Sequence, residues 1–503
     1  MRLLLLILGI LTISISLCSQ PSSKKMISGL EKARIDWGVP GMSVGIVHQG
    51  EVFLNRGFGF KEQGKSEPTN ATTQYAIASN TKAFVSAAIG TLVMDGKLKW
   101  DEPVRKYLPD FAMYDPYVTE HITVRDLLCH LAGLGTFSGD VIWYKSEKSA
   151  AEVIKQIKYV PQAYPFRSGY GYSNLMFITA GEVIKVVSGL SWEEYVKKTF
   201  FEPLQMNETI TSTNNLSSNV ATPHKPTGNI NQPIPWVNWD NMGAAGGIIS
   251  SSDDMLNWIQ LLLNKGISEG DTLIDPDILN EMWTPHNAFP ITEKSKLDLP
   301  GRNFNGYGLG WGLYDYFGRK VVTHSGGYDG MYSRVVLVPD EQLGFVVLTN
   351  SMTGIITPVI FDIINQFIKE DTRDWHEKYL QRPGGEGMSD WIDQRKTARI
   401  ENTSPRKENA HYTGTYYDPF YGTINIKEQE GKLRLLFEQA PDLSATLAHW
   451  QLDTWEIKWD HIHAWFDFGL INFTFNTENE VIGIEFDVPN YDIFFDEIHA
   501  KKR

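Results

Sequence analysis

The segment "YAIASNTKAFVSAAIGTLVMDGK" (Tyr75–Lys97) carries a single charged residue, Lys82, between Ser79 and Met94. The rest is alanine, glycine, aliphatics and small polar residues, the composition of a helix hidden from water. A lysine costs several kcal/mol in such a place unless a function requires it. Lys82 follows Ser79 by three residues, so on a helix both lie on one face. Burial disfavours the ammonium and leaves a neutral amine able to take the hydroxyl proton. The helix N-terminus favours the negative charge that develops when Ser79 attacks a carbonyl. The Ser79 N–H, with no helical partner, is available to that oxyanion. The pattern S-x-x-K is weak alone, and it occurs at Ser22, Ser79 and Ser404. Only the Ser79 copy opens an apolar helix; the Ser22 copy lies in a polar tail and the Ser404 copy contains Pro405.

Two further segments strengthen the reading. "FRSGYGYSNLMFITAGEVIKVVSG" places Tyr172 and Asn174 at Y-x-N spacing before a helical run. "VVTHSGGYDGMYSRVVLVPD" places His324-Ser325-Gly326-Gly327 at the end of one strand and in the turn before the next. With these motifs in this order the chain resembles the serine β-lactamase-like, or penicillin-binding-protein-like, hydrolases, in particular the class C type with its S12 peptidase and esterase relatives. "VPGMSVGIV", "GKLKWDEPVRKYLP", "ITVRDLLCHLAGLG" and "GAAGGIISSSDDMLNW" support the likeness.

The resemblance implies an α+β, β-lactamase/transpeptidase-like fold: an antiparallel sheet flanked by helices, with a helical subdomain. It implies that Ser79 is the nucleophile and that Lys82 and Tyr172 share the proton transfers. Tyr172, ionised near cations, would act as base toward Ser79 and later toward water. Asn174 would hold Lys82 and the substrate amide. The oxyanion would bind the N–H groups of Ser79 and Gly327, on the segment that also carries Ser325 and Gly326. His324 would hydrogen-bond toward Tyr172 and the substrate. No cofactor or metal is implied. His324 stands where the lactamase form has the lysine of K-T-G, and a histidine is mostly uncharged at neutral pH. A substrate carboxylate should therefore be attracted less strongly. The reading leans to small esters, amides or D-amino-acid peptides, with β-lactamase or D,D-carboxypeptidase activity as alternatives. A non-turning-over penicillin sensor is the alternative of another class.

The elements that must position these residues follow from periodicity. "KMISGLEKARIDWGV" reads as a helix and "GMSVGIVHQGEVFLNRGFGF" as a hairpin around Gln49-Gly50. Residues 75–265 are mostly helical, with loops at 109–116 and 212–241. Strand-like runs return from "GYGLGWGLYDY" to "LGFVVLTN", followed by the helix "PVIFDIINQFIK". Strands at both ends with helices between predict one domain over 26–370. Residues 371–408 read as a partly helical linker. Residues 409–503 read as short alternating strands, a small antiparallel β-barrel. That module resembles the lipocalin-like (DUF3471-type) domains that follow such hydrolases, and it would shade the active-site mouth or mediate homo-oligomer assembly.

The 503-residue length favours two domains, and the net charge of −14 argues against a nucleic-acid or anionic-lipid partner. A small-molecule or peptide substrate remains. Residues 1–19 read as a cleaved signal peptide, implying a secreted or periplasmic protein. Lipid attachment at Cys18 is the lesser reading, because Leu17 is bulkier than a lipobox prefers. No other stretch is long and apolar enough to span a bilayer. Cys129 reads as a small core residue. "GMSVG" matches the G-x-S-x-G elbow, but strand-like Val44–Val47 after Ser43 makes it a strand start. His461 and His463 read as a surface pair on one strand face, not a metal site. Trp450, Trp455 and Trp465 read as barrel core. Tyr307, Trp311 and Tyr314 are either cleft wall or core.

Overall fold

Helix Ser23–Asp36 opens the described part of the chain and buries Met26, Leu30 and Ala33, three residues on one stripe. The computed structural model describes residues 22–228, 230–299, 301–381 and 388–503. The leader read over residues 1–19, with Cys18, lies outside the described residues.

Strands Gly41–His48 and Glu51–Gly59 form the expected hairpin, and "GMSVG" is indeed a strand start. Ser43 is buried, its hydroxyl bonded to Asn70 O and Tyr75 Oη, so it has no nucleophile-elbow geometry. The hairpin joins a fully antiparallel eight-stranded sheet. From Gly41–His48 the order continues through Leu343–Thr349, Met331–Val338, Arg319–Tyr328, Gly312–Tyr316, Asn305–Tyr307 and Asn287–Ala288. First and last segments thus pair side by side in one sheet, as predicted. Leu343–Thr349 is buried at every position, the signature of a strand covered on both faces. Ser252–Leu263 covers one face; Ser23–Asp36 and Ile356–Ile368 cover the other.

Between the sheet halves lies the helical part. Thr81–Met94 is its axis, buried from Thr81 through Leu92, and it packs on Asn174–Ser188. A helix apolar all round is stable only when enclosed. No single helix among the described residues is long and apolar enough to cross a membrane.

Eight strands from Gly414–Asp418 to His499–Lys502 form a separate, closed antiparallel barrel. Lys432–Phe437 shows why: Leu433, Leu435 and Phe437 alternate inward. Within the segment between the two sheets, helix Trp375–Leu380 packs Trp375 against Phe361, ring centroids 4.3 Å apart. The barrel is tied to the helical part. Glu497 accepts from the Ser138 hydroxyl and, at 2.8 Å, from the Gly139 N–H.

Candidate active site

The nucleophile turn is Ala78–Asn80, a short 3-10 turn running into helix Thr81–Met94. Ala78 has φ of 47°, a left-handed conformation that an alanine adopts at a cost of about 1–2 kcal/mol. Tertiary bonds hold it. Asn80 Nδ2 donates to Ser333 Oγ at 2.8 Å, and Ser333 Oγ donates to Ile77 O at 2.7 Å. From the other side Ile77 N–H donates to Ile248 O at 3.0 Å. Gly326 completes the fit, since a Cβ there would stand 2.0 Å from Ile77 O. The third residue of the His-Ser-Gly motif is glycine because strand and nucleophile turn touch through backbone. Ser79 itself stays partly exposed while Ala78 and Asn80 are buried.

Lys82 is fully buried, and its Nζ has three neighbours: Ser79 Oγ at 3.1 Å, Asn174 Oδ1 at 2.7 Å and Ala245 O at 2.8 Å. The two carbonyl oxygens can only accept, so they commit two N–H bonds. The remaining tetrahedral direction points at the Ser79 hydroxyl. Burial pushes the Lys82 pKa down to about 7, with Asp140 opposing. In the neutral amine that direction is a lone pair able to take the serine proton. The amide of Asn174 is fixed by Nδ2 donating to Asp140 Oδ2 at 2.6 Å, which turns Oδ1 toward Lys82. Asp140 is buried, and burial raises its pKa to about 8. It was not singled out in the sequence, where "SGDVIW" offers no spacing signal.

Tyr172 lies over Lys82, with Nζ 4.8 Å from the ring centroid. Its phenol pKa is raised well above the usual value by burial, so Tyr172 rests as the neutral phenol. Lys82, the cation over its ring, is itself pushed toward neutrality. His130 braces the ring, at 4.3 Å between centroids, while its Nδ1 accepts from Ser173 N–H at 3.1 Å.

His324 departs from expectation in two ways. The strand runs over Arg319–Tyr328, so His324-Ser325-Gly326-Gly327 lies within it and not in the following turn. The reason is one-sided pairing: Gly312–Tyr316 reaches only to Thr323, whereas Met331–Val338 pairs as far as Tyr328. Alternate N–H groups beyond Thr323 therefore face an open edge on the cavity. The second departure is the partner. His324 Nε2 pairs with Tyr307 Oη at 2.8 Å, not with Tyr172, whose ring centroid is 6.1 Å away. Its Nδ1–H donates to Ser325 O at 2.6 Å, so Nε2 accepts. Burial, then the Lys82 charge, lowers its pKa to about 3, and the imidazole is neutral.

Ser79, Tyr172, Asn174, His324, Ser325 and Gly327 line one cavity of about 440 Å³. Lys82 lies beneath Ser79, and Gly326 packs on Ile77. Tyr307 and Tyr314 wall the cavity, whereas Trp311 is core. The barrel contributes Trp465, Asp492 and Ile493 to the same wall. Of Trp450, Trp455 and Trp465, Trp455 is core and Trp450 packs outside on Phe468 and Leu470, so reading all of them as core is corrected. Trp465 belongs to a loop, and Lys225 of the hydrolase part holds that loop. Lys225 Nζ donates to His463 O, to Phe466 O at 3.2 Å and to Asp467 Oδ1 at 2.6 Å. His461 and His463 are in this loop and not on a strand. His463 is buried against Phe466, so the surface-pair reading is corrected. Among the described residues no group of three or more His, Cys, Asp or Glu side chains could hold a metal.

The family model described as Beta-lactamase matches residues 27–355. The chain belongs to this family. A second model, for a domain of unknown function (DUF3471), matches residues 398–502, the barrel with the approach to it. Among curated relatives, unguisins hydrolase ungD' of Aspergillus campestris is 27% identical over 434 residues, covering 81% of this chain and 78% of that protein. Protein flp of Staphylococcus aureus is 28% identical over 352 residues, covering 68% and 64%. Among solved structures, the octameric penicillin-binding protein homologue of Pyrococcus abyssi superposes with TM-score 0.60 over 95% of this chain and 99% of that one, at 20% identity. D-amino acid amidase of Ochrobactrum anthropi SV3 superposes with TM-score 0.57 over 69% and 99%, at 24% identity. These likenesses show the β-lactamase/transpeptidase-like fold. The β-lactamase-family domain is a serine hydrolase domain, and this chain is an enzyme.

Proposed function

We propose that the protein hydrolyses a small amide, ester or D-amino-acid peptide through an acyl-enzyme on Ser79. The carrying observation is the Lys82 amine, two of whose directions are fixed on Asn174 and Ala245 while the third meets Ser79 Oγ. The Ser79 proton passes to Lys82 Nζ as Oγ bonds the substrate carbonyl carbon. The carbonyl oxygen, now an anion, takes the N–H groups of Ser79 and Gly327. Collapse breaks the bond to the leaving group, which receives a proton from Lys82 or the neutral Tyr172 phenol. Water, activated by the same amine, then releases the acyl group. Each oxyanion donor contributes roughly 3 kcal/mol of barrier lowering. Hydrolysis is supported by an unguisins hydrolase among the relatives, and an amide substrate by a D-amino acid amidase among the structural neighbours. Export through the leader read in residues 1–19 is part of this proposal.

The test is intact-protein mass after rapid mixing with 4-nitrophenyl acetate, wild type beside Ser79→Ala. An acetyl adduct and nitrophenol release in wild type alone support the reading. Equal release by Ser79→Ala overturns it.

A further inference from the structure

The barrel reaches the nucleophile through hydrogen bonds as well as through the cavity wall. Residues 136–140 form a bracket around the approach to helix Asn174–Ser188. At one end Phe137 N–H donates to Tyr172 O at 2.8 Å, and Tyr172 N–H donates to Thr136 Oγ1 at 3.2 Å. At the other end Asp140 Oδ2 accepts from Asn174 Nδ2, the bond that turns the Asn174 Oδ1 toward Lys82. Between these ends two residues are left-handed, Phe137 at φ 61° and Gly139 at φ 83°. A phenylalanine keeps that conformation only under restraint from its surroundings, so contacts from elsewhere must hold the bracket in shape. The helix supplies one of them: a Cβ on Gly139 would stand 2.6 Å from Leu175 Cδ1. The barrel supplies the other. Glu497 spends one carboxylate oxygen on the Ser138 hydroxyl and the second on the Gly139 N–H, at 2.8 Å. Glu497 is a fixed post for this purpose. It ends the short 3-10 turn Phe495–Glu497, and Phe495 and Ile498 on either side are fully buried. The Phe495 ring packs on Phe466, centroids 5.1 Å apart, and the His499 N–H donates to Asp418 Oδ2 at 2.7 Å.

We propose that Glu497 is a positioning residue for the reaction at Ser79: through this carboxylate the barrel holds the bracket that orients Asn174 and, through Asn174, the Lys82 amine. The path runs from Glu497 to Gly139, Asp140, Asn174, Lys82 and Ser79. Each step is a peptide neighbour or a hydrogen bond of 3.1 Å or less. The inference rests on Lys82 being the base toward Ser79, the reading proposed above. It gives the barrel a task in the chemical step, beyond shading the cavity mouth. Without Glu497 the bracket is free to relax, Asp140 shifts, and the Asn174 amide is released to rotate. A base that loses its aim loses rate even where it keeps its burial. Tyr172 hangs on the same bracket, so both proton-transfer groups beside Ser79 depend on one loop.

The test follows nitrophenol release from 4-nitrophenyl acetate by the full chain in stopped flow, so that the saturating acylation rate and KM are read separately. Glu497→Ala should lower the acylation rate about tenfold and change KM by less than about twofold. Glu497→Gln keeps an acceptor for the Gly139 N–H and should recover most of the rate. Ser138→Ala removes one of the two donors and should slow acylation about threefold. Glu497→Ala made in an Asp140→Ala background should add little further loss, because both substitutions release the same amide. A merely structural role would lower the midpoint of unfolding without this non-additive loss confined to the acylation rate. If Glu497→Ala does not fold, Ser138→Ala, which leaves the barrel intact, carries the comparison. Wild-type acylation by the folded alanine variants overturns the proposal. So does a rise in KM at an unchanged acylation rate, or a full additional loss in the Asp140→Ala background. A wild type that forms no acetyl adduct overturns the nucleophile reading and takes this proposal with it. A wild type that acylates no faster than Glu497→Ala overturns the role of Glu497 alone.

Discussion

Asn174 Oδ1 lies 2.7 Å from Lys82 Nζ because Asn174 Nδ2 is held by Asp140, and this two-step arrangement decides which atom of Lys82 faces Ser79. An unpinned amide could rotate and present NH₂ to the amine. The base would then lose its orientation without losing its burial.

The first prediction concerns the base itself. Lys82→Met keeps the length and apolar stem inside helix Thr81–Met94, so folding should survive. Acylation should fall by about 10²–10⁴, the usual worth of a positioned base. Mass spectrometry of the acetyl adduct with time measures it, and an unchanged rate would remove Lys82 from the mechanism.

The pH profile gives the second. Only the neutral amine accepts the serine proton, so kcat/KM should rise with pH through about 7, the value to which burial brings Lys82. Asp140 favours the ammonium, so Asp140→Asn should move this limb to lower pH while lowering kcat. The two groups titrate as a pair, and the limb belongs to both. A limb that moves to higher pH would contradict the assigned direction.

His324 supports a third. Its Nε2 accepts from Tyr307 Oη inside the protein, and Tyr307→Phe leaves that acceptor buried and unpaired. The loss should be about 1–3 kcal/mol in urea unfolding of the hydrolase part. A change under about 0.5 kcal/mol would mean the site relaxes or hydrates, and that the bond does not hold the imidazole.

The chemistry was legible because it is local. Ser79 and Lys82 sit one turn apart, Asn174 begins a helix, and Gly326 and Gly327 follow His324 directly. The sheet closed by first and last segments was also readable, since alternating runs at both ends must pair across helices. What could not be read is long-range. Asp140 reaches Asn174 only because the 3-10 turn Asp140–Ile142 meets the start of helix Asn174–Ser188, and Tyr307 meets His324 from another strand. Trp465 and Asp492 enter the cavity from a separate barrel more than a hundred residues away. Tyr172 is a different case. Lys82 beside it was foreseen, but His130 against its ring was not, and burial, which sets its protonation, is a property of the packed structure.

The last prediction follows from the loop that carries Trp465. Lys225 is buried on hairpin His224–Pro233, and its three acceptors all belong to residues 463–467 of the barrel. It is not among the residues that line the cavity, and its bonds run to the loop that carries Trp465. A Cβ on Gly327 would come within 3.3 Å of the Trp465 ring, which places that ring over the strand carrying the oxyanion donor. Lys225→Met removes all three bonds and leaves Asp467 without its cation. The Trp465 wall should loosen, and KM should rise more than kcat falls, by about fivefold for the loss of roughly 1 kcal/mol in substrate contact. A merely structural role would lower the midpoint of unfolding and leave KM alone. Lys225→Arg, which keeps charge and donors, should recover most of the KM. If kcat falls instead and KM stays, the barrel loop acts on the chemical step and not on the cavity wall.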